Sequence, residues 1–326
     1  MKVMVPEYLA ESLLPQLREA DPSVDLLPIA AEGSFHGSLS DLEVLFKFYP
    51  DARFPRVFGA DVLRSILAGA PRLRWIHSGK AGVEDLLIPE LVESEIVLTN
   101  GAGAPKRAIA ETVLAFILAD AKAIQSHWDF QKAGEWKHLP HKELPGLTVA
   151  ILGLGRIGME IARLCKALDL RVIGTKRTLG GEPVGWVDEI FPSGRQEECV
   201  AGADYVVVAA ALTPETRGMV GPATFKAMKK DAILINVARG PIVDETALIG
   251  ALRAEEIRGA CLDVFEQEPL PPAHPFYTLP GVVVTPHNSP YSQNVTDHMV
   301  GVFVENFQRY CAGKPLLNVV NKQAGY

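Results

Sequence analysis

Apolar positions along the chain follow two different periods. Up to about residue 100, short runs rich in Val, Ile, Leu and Phe (residues 3–5, 24–29, 44–48, 73–76 and 96–98) are separated by polar or helical stretches, the rhythm of a small open α/β sheet. From Lys106 the spacing becomes helical. Ala110, Val113, Leu114, Ile117, Leu118 and Ala121 recur three and four residues apart, and neither Pro nor Gly interrupts the run before Gly134, which predicts one helix to about Gln131, long enough to bridge two domains. A polar stretch with two prolines, residues 137–145, follows. Six further apolar runs (148–152, 171–175, 205–210, 232–237, 259–264 and 282–285) then alternate with helical segments, as in a doubly wound parallel sheet. A last helical segment, 294–310, has no strand of its own and is expected to pack back on the first domain. The pattern predicts two α/β domains, the first discontinuous (1–101 and 291–326) and the second continuous (102–290).

The second series opens on Gly153-Leu154-Gly155-Arg156-Ile157-Gly158. In a chain with 28 glycines a bare G-x-G-x-x-G carries little weight, but here an apolar strand leads into it and an amphipathic helix (Ile161, Leu164, Cys165, Leu168) leads out. That is the setting of a pyrophosphate-cradling turn: Gly153 permits the tight bend, Gly155 lets backbone approach phosphate and Gly158 lets helix and strand pack closely. The second domain therefore reads as a Rossmann dinucleotide-binding domain, and the first as a smaller flavodoxin-like domain for the substrate. In NAD-binding versions the next strand ends in an Asp or Glu that reads the adenosine ribose. Here Thr175-Lys176-Arg177 supply two cations and no carboxylate. A 2′-phosphate is a dianion that Lys176 and Arg177 can neutralise, whereas a bare ribose offers them only a hydroxyl. NADP(H) is the predicted cofactor and NAD(H) the alternative, the latter if these cations are merely solvated at a strand end.

Composition removes several other partners. The 39 acidic and 32 basic side chains are spread along the chain for a net charge of −7, which argues against a nucleic-acid or anionic-membrane surface. Pro6 and Glu7 break the first apolar run, unlike a secretory signal, and no segment approaches the ~20 apolar residues of a membrane span. Cys165, Cys199, Cys261 and Cys311 lie far apart without metal-ligand spacing, so buried reduced thiols in a cytoplasmic protein are expected and no metal site is.

Three residues downstream suit carbonyl reduction: Arg239 in INVARG, Glu268 in LDVFEQEP and His287 in VVVTPH. Each follows a predicted strand, so all three should gather at the carboxyl edge of the sheet, where such folds bind ligands. In order and spacing, the GLGRIG turn, LTPETRGMV, INVARG with VDETAL, LDVFEQEP and TPH resemble the D-isomer-specific 2-hydroxyacid dehydrogenase family closely over residues 147–290. The first hundred residues resemble it more loosely, through SGKAGVE and NGAGAPKRAIAE. The resemblance implies that Arg239 holds the substrate carboxylate, that His287 donates the proton and that Glu268 is its partner. It also implies backbone amides of Ala81 and Gly82 on that carboxylate, Asp263 on the nicotinamide carboxamide, and cofactor contacts from Leu212, Thr216, Val237 and Ala238. Lys176 stands where NAD-preferring members carry Asp, as in the NADPH-linked glyoxylate and hydroxypyruvate reductases that the chain resembles most.

The chemistry is coherent. Hydride arriving at a keto carbon builds negative charge on its oxygen, which an imidazolium at His287 can meet with a hydrogen bond and a proton. A carboxylate at Glu268 favours that cation, and Arg239 can grip a 2-oxo acid bidentately. Phe48-Tyr49-Pro50 either walls the substrate pocket or packs in the core. Trp136 either packs locally or, as the resemblance to hydroxypyruvate reductases implies, reaches a neighbouring subunit of a homodimer. Two other readings stay open: an NAD-linked 3-phosphoglycerate dehydrogenase without a regulatory domain, and a non-catalytic NAD(P)-sensing binding protein.

Overall fold

Two parallel sheets carry the fold in this computed structural model, which describes residues 1–49, 57–178 and 185–325. The chain divides into two units, Met1–Pro105 with Ser292–Tyr326, and Lys106–Tyr291. The first unit holds β1 (Lys2–Pro6), β2 (Asp25–Ile29), β3 (Leu42–Lys47), β4 (Trp75–Ser78) and β5 (Val97–Asn100) in the order β2-β1-β3-β4-β5, every pairing parallel. Its inner strands β1, β3 and β4 are almost wholly buried, as in a sheet covered on both faces. One cover is the helix Val295–Cys311, whose Phe303 ring stacks on Phe46 at 4.1 Å between centroids and on Trp75 at 5.5 Å. The segment beyond that helix returns to the sheet edge, where Val319 forms an antiparallel bridge with Thr99.

The second unit holds β6 (Thr148–Leu152), β7 (Arg171–Lys176), β8 (Glu189–Pro192), β9 (Tyr205–Val208), β10 (Ile233–Asn236), β11 (Gly259–Leu262) and β12 (Val282–Val284), in the order β12-β11-β10-β9-β6-β7-β8. The order reverses between β6 and β9, so loops at the carboxyl ends of the strands flank a crevice at that switch point. One face packs Phe225, Leu248 and Phe276; the other packs Val113, Ile117, Ile161 and Leu164. Among the described residues no helix is long and apolar enough to cross a membrane.

Three sequence expectations need correction. Among the described residues the second sheet has seven strands, not six: β8 is an edge strand of sequence EIFP with no fully buried residue, so it carries no apolar run. The bridging helix is two helices, Lys106–Ala121 and Ile124–Ala133, because Ala123 takes φ +49° and the carbonyl of Ala121 accepts from the backbone N–H of Lys142. The residues from the polar stretch that end this helix are distant in sequence, so no local Pro or Gly announces the break. The strands β9, β10 and β11 stop at Val208, Asn236 and Leu262, short of the apolar runs that predicted them. The remaining residues of those runs form the loops that shape the site.

Candidate active site

Beyond β6 the three motif glycines have three different surroundings. Gly153 bends at φ +110°, and a Cβ there would lie 2.7 Å from the Cα of Ala210. At Gly158 a Cβ would collide with the carbonyl oxygen of Gly153, so only glycine lets the helix Arg156–Lys166 start this close to the strand. Around Gly155 no described residue comes within 4 Å of such a carbon. This open space lies at the amino terminus of that helix, which no side chain caps and where backbone N–H groups and the helix dipole favour an anion. The loop thus fits a dinucleotide pyrophosphate, with Arg156 and Ile157 in its first turn.

Thr175, buried at the end of β7, builds this loop: its carbonyl accepts from Leu154 N at 2.8 Å and its Oγ1 from Gly153 N at 3.1 Å. Lys176 is half-buried beside it and, among the described residues, makes no ion pair; Arg177 is exposed. Glu215 in the loop after β9 is held below the usual carboxylate range, first by a hydrogen bond with Thr213 and more weakly by the charge of Arg177. In that loop the Thr216 hydroxyl donates to Ala211 O and accepts from Thr213 N, both at 2.7 Å, while Leu212 packs against the core. After β10, Val237 and Ala238 are nearly buried. Asn236 shapes their turn: its Oδ1 accepts from Ala238 N at 3.1 Å and its Nδ2 donates to Arg239 O at 3.2 Å.

Arg239 follows, its Nη1 donating to Ala238 O at 2.8 Å. A Cβ at Gly240 would collide with the carbonyl carbon of Phe265, so the backbone after Arg239 lies directly against the loop that carries Glu268. Glu268 accepts twice, from Phe265 N at 3.0 Å through Oε1 and from His287 Nδ1 at 2.8 Å through Oε2. An ionised carboxylate can only accept, so Nδ1 carries the proton and Nε2 is left for another partner. His287 sits at φ +52°, a conformation uncommon outside glycine, and its N–H donates to Asp263 O at 2.7 Å.

Two carboxylates that the sequence reading missed, or placed elsewhere, hold these loops. Asp263, fully buried, accepts from Thr285 Oγ1 at 2.6 Å, Asn288 N at 2.8 Å and Ser289 N at 3.0 Å. It therefore fixes the turn around His287. Glu245 accepts from Glu266 N at 2.7 Å, and burial raises its carboxyl above the usual range. The VDE stretch is the only sequence signal that marks Glu245, and the turn role of Asp263 leaves none.

The family profile described as "D-isomer specific 2-hydroxyacid dehydrogenase, NAD binding domain" matches residues 114–289, more than half of the chain. The chain belongs to the D-isomer specific 2-hydroxyacid dehydrogenase family. It is 34% identical over 304 residues to a glyoxylate reductase of Aeropyrum pernix, covering 87% of this chain and 90% of the relative. It is 33% identical over 270 residues to a D-3-phosphoglycerate dehydrogenase of Methanocaldococcus jannaschii, covering 81% of this chain but only 50% of that longer protein. A D-isomer specific 2-hydroxyacid dehydrogenase of Xanthobacter autotrophicus Py2, solved with NADPH and MES, superposes with a TM-score of 0.83 at 30% identity, covering 100% of this chain and 99% of the other. The protein is thus an oxidoreductase of an NAD(P)-dependent class.

The remaining candidate residues of this dehydrogenase are scattered. Ala81 and Gly82 lie in the other unit, half-buried in the loop after β4. Phe48 and Tyr49 are core residues, the Tyr49 hydroxyl donating to Ile29 O at 2.7 Å, and Pro50 lies outside the described residues. Trp136 is 92% exposed, so it does not pack within its own chain.

Proposed function

We propose that this dehydrogenase uses NADPH to reduce a small 2-oxo acid of the glyoxylate or hydroxypyruvate type to the 2-hydroxy acid of D configuration. The observation that carries the reading is the His287–Glu268 hydrogen bond at 2.8 Å in the loops beyond β11 and β12. The nicotinamide, when bound, supplies the hydride. His287, with Nδ1 fixed on Glu268, presents Nε2–H to the carbonyl oxygen and gives up that proton as charge develops there. Glu268, through its hydrogen bond to Nδ1, keeps the ring oriented. Arg239 takes the substrate carboxylate in its planar fork, whose direction the bond to Ala238 sets. In the first unit, Ala81 and Gly82 would offer backbone amides to a substrate carboxylate.

The glycine loop would take the pyrophosphate. Lys176 and Arg177 would take the 2′-phosphate, a reading supported by the absence of a carboxylate at the end of β7. Asp263, fully buried, would act on the nicotinamide end of the site through the turn around His287 that it holds. We further infer a homodimer, supported by the helix Ile124–Ala133, which buries none of its residues, and by exposed Trp128 and Trp136 nearby. A cytoplasmic location is supported by Cys165, Cys199 and Cys261, free thiols that burial pushes up to about 12 and so keeps from reacting.

Steady-state kinetics with glyoxylate, hydroxypyruvate, pyruvate, 3-phosphohydroxypyruvate and bulkier 2-oxo acids, each with NADPH and NADH, test the assignment. The two small acids with NADPH should give the highest kcat/KM. A clear NADH preference overturns the cofactor assignment, and preference for 3-phosphohydroxypyruvate makes the enzyme a phosphoglycerate dehydrogenase.

A further inference from the structure

A peptide group is planar and trans, so fixing a carbonyl oxygen also fixes the N–H of the next residue, which points the opposite way. The amides of Ala81 and Gly82 therefore belong to the peptide units that carry the carbonyls of Lys80 and Ala81. Both carbonyls are held from behind. Lys80 O accepts from Gly101 N at 3.0 Å, and Ala81 O accepts from Asn100 Nδ2 at 2.8 Å. The 100–102 turn that supplies these donors is itself closed by Ala102 N donating to Asn100 Oδ1 at 3.0 Å.

Behind that turn lies the far end of the chain. Asn318 Nδ2 donates to Asn100 O and to Ala102 O, both at 2.9 Å, and Asn318 O accepts from Asn100 N at 3.2 Å. The segment bearing it is anchored on both sides. Leu317 exchanges two hydrogen bonds with the fully buried Asn306, Val320 N donates to Leu98 O at 2.8 Å, and Lys322 Nζ donates to the carbonyls of Leu91, Ser94 and Ile96. Asn318 alone takes a left-handed backbone there, φ +55°, a conformation that Asn tolerates better than most residues.

We propose that Asn318 and Asn100 are positioning residues for the substrate carboxylate: a carboxamide relay from the end of the chain holds the two peptide groups whose N–H donors meet the 2-oxo acid. The inference rests on the proposed role of Ala81 and Gly82. Donors held in place before binding cost no reorganisation when the anion arrives, so loosening them weakens ground-state and transition-state binding alike.

The test compares wild type with Asn318→Gly, which removes the carboxamide while suiting the left-handed backbone, and with Asn100→Ala. Readouts are KM and kcat for glyoxylate, direct binding of oxamate (a non-reducible 2-oxo-acid analogue), NADPH binding and thermal unfolding. Each variant should raise KM and the oxamate Kd about three- to tenfold, with kcat within about twofold and NADPH affinity unchanged. Wild-type KM and oxamate affinity in Asn318→Gly, in a protein that Arg239→Lys does impair, overturn the relay and leave the active-site reading standing. Parallel losses of oxamate and NADPH affinity mark general loosening and also overturn it. A wild type that neither reduces a 2-oxo acid nor binds oxamate overturns the active-site reading and the relay together.

Discussion

At the scale of single residues, the proposed chemistry turns on one imidazole whose two nitrogens have different surroundings. Glu268 takes Nδ1, and in the proposed mechanism Nε2 meets the substrate. His287→Ala should lower kcat by roughly 10²–10⁴-fold, the usual contribution of a positioned acid, while NADPH binding measured by fluorescence titration stays at the wild-type level. Unchanged turnover removes His287 from the mechanism. Cofactor choice is also a residue-scale matter. Lys176→Ser should weaken NADPH relative to NADH by about tenfold, the loss of one charge-assisted contact, and equal losses with both cofactors would show that Lys176 does not read the 2′-phosphate. Residue types and their order after strands marked Arg239, Glu268 and His287 as candidates, and the structure joins Glu268 to His287. The backbone bonds made by Asn236 and Glu245 were not foreseeable, because a motif names a residue but not the backbone group it will hold.

At the scale of elements, legibility followed burial. The buried strands β6, β9, β10 and β11 declared themselves as apolar runs, whereas the edge strand β8 did not, since its EIFP sequence is only half covered. The helix break at Ala123 was hidden for a different reason: its cause is the bond from Lys142, a residue of another segment. Glycines within one loop-helix stretch make the same point about context. Gly240→Ala should push the Phe265–Glu268 loop away from Arg239 and lower kcat/KM at least tenfold, with about 1–3 kcal/mol of stability lost to overpacking. Gly250, in the helix Glu245–Arg253, has open space around its missing Cβ. Gly250→Ala should stabilise by about 0.5–1 kcal/mol without changing kcat. Urea unfolding and kinetics on the two variants check both outcomes, and similar effects from both would refute the steric assignment.

At the scale of the whole molecule, the acid limb of stability has an identifiable contributor. Trp75 Nε1 donates to Thr99 Oγ1 at 2.7 Å, the same hydroxyl lies 2.7 Å from His77 Nδ1, and among the described residues the buried His77 Nε2 has no partner. Burial lowers this histidine from 6.5 to about 3. The unfolded chain therefore binds a proton that folded His77 refuses, and its contribution, complete above pH 6.5, is lost as pH falls toward 3. The slope should be up to about 1.4 kcal/mol per pH unit. His77→Gln, which keeps a hydrogen-bonding side chain beside Thr99 without a titrating ring, should flatten the pH dependence of the urea midpoint between pH 6.5 and 5; an unchanged slope would assign it to other groups.

The first unit is built from both ends of the chain, with Phe303 and Phe307 completing a core begun by Val3 and Val5. A ribosome that has released everything through His287 has delivered all seven strands of the second sheet but not the helix that seals the first. Synthesis therefore imposes an order: the nucleotide half can mature on the nascent chain, while the amino-terminal half waits with Phe46 and Trp75 uncovered, open to chaperones, until the helix Val295–Cys311 has been made.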